Sequence, residues 1–471
     1  MRQAVHASLA GKKEFLVVKM RCSLSVFLLS AFCSNLSGTG TEQEVIRSLK
    51  NNQINFLSCL FADIGGTLKE IVISPLEFEA AFENGLFIDG SSIAGYTAIN
   101  KSDLLLRIEP QTVSFEVWDS PYGHTAQVMC AVCTQDGKPY LHSPRESLKN
   151  TVERARAMGF AVQCGVELEF FLMNEDGELA DCDGYCSVAV DAGVRAFREL
   201  VLTALVNAHT DPEKIHHEVA HGQFEVVLKY ADPITICDNV LKAKTIIDLC
   251  AKACGYRALF MPKPFAGMNG SGMHMHISLR DINNDCNAFY DAYDSDYLSA
   301  VARSFIGNNL VFIDQCTVAF NATFNSFERL VLGFEAPVYL CWGKRNRSGA
   351  IRIPDVNEAR LKETNGAAMR AEFRFPDASC NPYLALKAII EMGLDGIEAH
   401  VTAPACMETN LYHSTQEERD FYHIRNLPQS LEEALYLFEN STYAKKIFGE
   451  ELHARYADFV EKRLAEKDFN F

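Results

Sequence analysis

Apolar positions Val45, Ile46 and Leu49 recur at helical spacing between residues 42 and 50 and predict a short amphipathic helix. The pattern then changes to short apolar runs at 55–62, 70–74, 104–108, 113–117 and 127–133, with turn residues at Gly65-Gly66 and Asp136-Gly137. Strands interrupted this often predict a small mixed domain, 41–142. From Pro144 onward, longer helical patterns at 147–158, 188–208 and 234–255 alternate with strands, so a larger α+β unit is expected over 143–471. No internal repeat or low-complexity tract interrupts either part.

Within the second part the alternation carries chemistry. In Gly165-Val-Glu-Leu-Glu-Phe-Phe-Leu172 a strand would send Glu167 and Glu169 to one face and Val166, Leu168 and Phe170 to the other. Paired carboxylates that face an interior repel each other and lose hydration, so they call for cations; a solvated edge strand would show the same pattern. His216-His-Glu-Val-Ala-His-Gly-Gln-Phe-Glu-Val226 adds Glu218 and Glu225 around a glycine turn. A Gly-rich loop, Gly267-Met-Asn-Gly-Ser-Gly272, runs into alternating His274, His276 and Ser278. The glycine spacing matches neither a dinucleotide fingerprint nor a P-loop. An arginine series follows: Arg329, Arg345, Arg347, Arg352, Arg370 and Arg374, the last two flanking Glu372. Guanidinium forks suit carboxylates and phosphates.

Composition narrows the classes. The chain has 471 residues, 48% hydrophobic and 22% charged, which excludes wholesale disorder, a collagen-like repeat and a coiled-coil rod. Its net charge of −17 argues against a nucleic-acid partner and directs attention to divalent cations. Sixteen cysteines are too dilute for a disulfide scaffold, and the lone Cys130-Ala-Val-Cys133 pair lies in an apolar strand. They are expected to be core thiols in a reducing, cytoplasmic protein. Residues 1–40 carry five basic residues and only Glu14 as an acid, with an apolar stretch too short to span a bilayer. Their layout is that of a targeting segment; a dispensable extension is the reading preferred, and no membrane partner is expected. Asp281-Ile-Asn-Asn-Asp285 begins like a calcium loop, but Cys286 stands where glycine is required, so a solvated surface loop is expected.

Five glutamates and one histidine suit hard divalent cations, Mg²⁺ or Mn²⁺. Arginines would neutralise transferred phosphate. Taken with Asp89-Gly-Ser-Ser92, His217-Glu-Val-Ala220, Met261-Pro-Lys-Pro-Phe265, Asn269-Gly-Ser-Gly-Met-His274, Asn346-Arg-Ser348, Ile351-Arg-Ile-Pro354 and Asn381-Pro-Tyr383, the chain from about residue 41 onward closely resembles the glutamine synthetase family of the bacterial and archaeal (type I) kind. The resemblance implies an amino-terminal β-grasp domain, a catalytic domain with a curved antiparallel sheet and helices, and a homo-oligomer, a dodecamer of two hexameric rings. It implies ATP-dependent ligation of ammonia to the glutamate γ-carboxylate through γ-glutamyl phosphate. It also implies roles. One cation would be held by Glu169, Glu218 and Glu225, and the other by Glu167, His274 and Glu372. Glutamate would lie against Asn269, Gly270, Arg329 and Arg374, and ATP against Glu213, His276, Ser278, Arg352 and Arg370. Arg347 would meet the transferred phosphoryl group, and Asp89, from a neighbouring subunit, would bind ammonium and take its proton. Glu335, in Gly333-Phe-Glu-Ala-Pro337, would ride on a flap closing over glutamate.

Some positions depart from the family pattern. The stretch 355–368 is longer than usual, which leaves Lys362 as only a candidate for the adenine-contacting lysine. Leu332 replaces a proline, and Cys341-Trp-Gly343 is similar to relatives that ligate glutamate to polyamines. Tyr412 lies where some members are adenylylated, among different neighbours, so it is expected to be unmodified. Two other readings are a γ-glutamyl ligase for a polyamine or ethanolamine and a non-catalytic structural relative. Asp89 and Glu335 argue against the first, and six retained candidate ligands against the second.

Overall fold

The computed structural model describes residues 41–115 and 122–466. The 1–40 segment and the part of the expected strand 113–117 beyond Phe115 lie outside the described residues. The first helix, Glu42–Asn51, starts at Thr41, whose side chain accepts from Glu44 N–H while Glu44 reaches back to the Thr41 backbone. Val45 and Leu49 are buried on its inner face.

The first sheet contains β1 (Ile54–Ala62), β2 (Leu68–Ile73), β3 (Leu86–Asp89), β4 (Asp103–Ile108), β5 (Ser114–Phe115) and β6 (His124–Cys133). Its order is β2-β1-β6-β4-β3, with β5 added to β6. β1 and β6 run parallel while the other described pairs are antiparallel, a β-grasp arrangement around Leu57, Cys59, Phe78, Leu106 and Val128. The short helix Phe78–Asn84 and edge strand β3 were not anticipated from the pattern. β3 has too few residues to display a period clearly.

The second sheet is built from β7 (Phe160–Asn174), β8 (Pro212–His217), β9 (Gln223–Ala231), β10 (Tyr256–Leu259), β11 (Met273–Asp281), β12 (Cys286–Asn287), β13 (Tyr339–Lys344), β14 (Gly349–Ile353), β15 (Ala371–Phe373) and β16 (Arg425–Asn426). The order β16-β13-β14-β15-β11-β7-β9-β8 is antiparallel except at β13–β14. Val162, Cys164, Val166, Leu168, Phe170 and Leu172 of β7 enter one core with Phe224, Val226 and Leu228 of β9 and Met273, Met275 and Ile277 of β11. Helices Pro144–Ala157 and Pro233–Ala253 pack on this sheet, and Pro382–Glu398 packs on both of them. The helix expected from residue 188 begins at Ala192, because Asp191 caps it by accepting from Val194 N–H.

Arg145 joins the two parts. Its guanidinium donates to Glu109 of the first domain at 2.8 Å and to both oxygens of Asp238 at 2.9 and 2.8 Å. Cys59, Cys130, Cys133, Cys164, Cys237, Cys250, Cys316, Cys341 and Cys380 are buried thiols, but Cys182 and Cys186 are exposed. The expectation of core thiols fails at those two, which lie on the loop before Asp191, and Cys254, Cys286 and Cys406 are only half-buried. Among the described residues no helix is long and apolar enough to cross a membrane.

Candidate active site

Burying alternate residues of β7, β9 and β11 leaves Glu167, Glu169, Glu225, His274 and His276 on the opposite face of the sheet. Register aligns them in rungs. His274 faces Glu167, Glu169 faces Glu225, and His216 faces Glu225 from β8. One rung along, His276 faces Glu372, which faces Arg352.

Three groups of potential ligand atoms result, each with its members within 4.8 Å of one another: Glu167, His274 and Glu372; Glu169, Glu225 and His274; and His216, Glu218 and Glu225. The trio expected for one cation therefore lies together. Glu169, Glu218 and Glu225 form no separate group: His274 and His216 link them into a continuous acidic row. His274 Nδ1 lies 3.1 Å from Glu167 Oε2, and His276 Nε2 lies 3.0 Å from Glu167 Oε1. Glu225 is pushed up to about 10 by burial and then by repulsion from Glu167, Glu169 and Glu218. Burial, reinforced by Glu218, also raises Glu169, although Gly272 N–H donates to its Oε2 at 2.7 Å. Burial alone would raise Glu372, but Arg374 and the two histidines draw it down to about 2.

The loop before β11 closes one end of the row. A Cβ on Gly270 would lie 2.4 Å from Pro262 O and 2.7 Å from Arg329 Cγ, so only glycine lets the loop approach Arg329. Arg329 ends the helix Phe324–Arg329, which opens with a Thr323–Ser326 capping box. It donates to Phe375 O at 2.9 Å and Arg374 O at 3.0 Å. Arg374 and Arg352 each donate to Glu372 at 2.6 Å. Asn269 Nδ2 donates to Glu335 Oε2 at 3.0 Å, which brings the expected flap residue against the expected substrate loop. Arg370 Nε donates to His276 Nδ1 at 3.2 Å.

The remaining expected residues lie farther out. Ser278 is two positions beyond His276 on β11, and Glu213 is exposed on β8. Arg347 lines a cavity of about 640 Å³ with Lys344, Asn346, Ser348, Asn410 and Tyr412. Tyr412 donates to Ala336 O at 3.4 Å, Leu332 is exposed, and Lys362 pairs with Glu358 at 2.7 Å. Asp89 is exposed at the end of edge strand β3, where Ser91 and Ser92 donate to its carboxylate and hold it below the usual range.

Sequence reasoning assigned nothing to His216, which lies 3.0 Å from Glu218 and 3.7 Å from Glu225. Its spacing of two from Glu218 was the available signal. Gln223 was also passed over, although its Nε2 donates to Gly270 O at 3.0 Å and ties β9 to the loop.

Family models described as the glutamine synthetase β-grasp domain and the glutamine synthetase catalytic domain match residues 53–135 and 141–468. The glutamine synthetase of Thermotoga maritima is 39% identical over 428 residues, covering 90% of this chain and 95% of its own. That of Clostridium saccharobutylicum is 39% identical over 437 residues, covering 91% and 95%. A solved structure titled "GmaS/ADP complex" superposes with a TM-score of 0.78 at 26% identity, covering 91% of this chain and 97% of its own. These likenesses favour glutamine synthesis over the two other readings. With both domains matched and such identity sustained over nearly the whole length of its relatives, the chain belongs to the glutamine synthetase family of ATP-dependent glutamate–ammonia ligases.

Proposed function

We propose that the acidic face formed by β7, β8, β9, β11 and β15 is where this ligase joins ammonia to glutamate, with two divalent cations bound to it. Glu167, His274 and Glu372 would hold one cation, and the other would draw together Glu169, Glu218 and Glu225, which His274 and His216 already link in one row. The donor set fits such ions: oxygen ligands dominate, which favours Mg²⁺ or Mn²⁺ over softer metals. Three buried nitrogens at this face, Arg352 Nε, Arg374 Nε and His216 Nδ1, have no hydrogen-bond partner among the described residues, as expected where ligands complete a site.

When bound, the cations neutralise the oxygens that converge as the γ-carboxylate of glutamate attacks the terminal phosphate of ATP. The chain supplies the rest. Asn269, Gly270, Arg329 and Arg374 orient glutamate. Glu213, His276, Ser278, Arg352 and Arg370 bind ATP, and Arg347 offsets charge on the transferred phosphoryl group. The γ-glutamyl phosphate so formed is open to hydrolysis, so the segment carrying Glu335 excludes water by closing against the Asn269 loop. Ammonium attacks only after losing its proton, which Asp89 of an adjacent subunit and Glu335 attract and accept. That arrangement needs a ring-like homo-oligomer, proposed as a dodecamer, working in the cytoplasm.

The observation that carries this reading is the convergence of Glu167, Glu169, Glu218, Glu225, His274 and Glu372 on one face. Phosphate release from ATP and glutamate, compared with ammonium, ethanolamine and polyamines as acceptors, tests it. Ammonium supports turnover with Mg²⁺ or Mn²⁺, and Glu372→Gln abolishes it. Equal rates with larger amines, or an active Glu372→Gln enzyme, would refute the assignment.

A further inference from the structure

We infer that Lys263 is a positioning residue that latches the Glu335 segment shut through the ring of Phe334. The inference rests on the proposed role of that segment as the cover over γ-glutamyl phosphate. Lys263 is itself held rigidly: its N–H donates to Asn325 Oδ1 at 2.6 Å, and Asn325 Nδ2 donates to Lys263 O at 2.9 Å. The helix that ends at Arg329 thus fixes Lys263 as well. The Lys263 side chain is buried and its ammonium group donates to Met268 O, next to Asn269. Its Nζ also lies 3.7 Å from the centroid of the Phe334 ring. A cation at that distance over a ring face, out of water, is a strong attractive contact.

The segment it grips is partly exposed and strained. Val331 and Leu332 are exposed, Gly333 has φ 91°, and Glu335 has φ 64° in the left-handed region that a residue carrying a Cβ seldom adopts. A glutamate stays in that conformation only where its surroundings impose it. Four tethers do so: Lys263 on Phe334, Asn269 on Glu335 Oε2, Arg374 on Glu335 O and Tyr412 on Ala336 O. Two of the four come from the loop between β10 and β11. Lys263 touches none of the six proposed cation ligands, so its effect falls on closure.

The test is coupling. In the parent enzyme each phosphate released accompanies one glutamine. Lys263→Met and Phe334→Leu open the segment to water, and the ratio of phosphate to glutamine rises on the order of ten-fold while the KM for ATP is unchanged. Lys263→Arg and Phe334→Tyr keep a cation over a ring and restore coupling, and the Met/Leu double variant is no worse than either single one. Phe334 lies on the surface segment, so Phe334→Leu carries the test if Lys263→Met does not fold. An unchanged ratio in Phe334→Leu, or no recovery in Lys263→Arg, overturns the latch. Glu335→Ala serves as the reference: if it loses amide formation while the Lys263 and Phe334 variants stay coupled, only the latch falls. If Glu335→Ala is fully active, the reading of the site falls as well.

Discussion

Glu169 stands directly opposite Glu225 in the β7–β9 register, so two carboxylates, one buried and one nearly so, share a rung of the sheet. Burial and repulsion from Glu167, Glu169 and Glu218 put electrostatic strain on Glu225. Glu225→Gln relieves it at constant shape. The metal-free variant is expected to gain about 1–2 kcal/mol in stability over the parent. Its affinity for Mn²⁺ falls about 100-fold. Thermal unfolding with and without Mn²⁺ measures both: the ion raises the parent's Tm much more than the variant's.

Gly270 gives a steric prediction. Gly270→Ala places a methyl group 2.4 Å from Pro262 O and 2.7 Å from Arg329 Cγ. The loop or the arginine must move, at a cost of about 1–3 kcal/mol. The KM for glutamate is expected to rise more than the KM for ATP, because Arg329 and Asn269 border the displaced loop. Steady-state kinetics with each substrate varied in turn decides it.

The junction at Arg145 predicts a pH effect. Burial would raise Glu109, but Arg145 and Lys149 outweigh it and hold the carboxyl below its usual 4.5. A carboxylate depressed in the folded state contributes stability that is complete above its unfolded pKa and lost as pH falls through the folded value. Glu109→Gln therefore lowers stability at neutral pH and flattens its decline below about pH 4.5. Urea unfolding between pH 3 and 7 measures this slope. Arg145→Met, which leaves Asp238 and Glu109 without their shared partner, costs about 3–5 kcal/mol.

Exposure separates the thiols. Under native conditions iodoacetamide is expected to alkylate Cys182 and Cys186 well before Cys237, Cys250, Cys316 or Cys380, which are buried with thiol pKa values raised by desolvation. Peptide mass spectrometry over a time course reads the order.

Much of this molecule was legible along the chain. The period-two alternation in β7 and β11 assigned Glu167, Glu169, His274 and His276 to shared faces, since a strand leaves each side chain only two directions. The three helices read at 147–158, 188–208 and 234–255 lie within a few residues of their observed bounds, whereas Ala300–Phe312, Pro382–Glu398 and Glu450–Glu466 were not read, and β3 and the helix Phe78–Asn84 were too short to reveal a period. What the chain could not state was pairing. Whether Glu225 meets Glu169 and His216, and which loop reaches Phe334, depend on strand register and on the approach of segments as far as 71 residues apart. Residue type and spacing determined the kinds of ligand this protein can hold. Packing of one sheet face against its helices decided which ligands became neighbours, because a buried apolar face fixes register and carries the charged face with it.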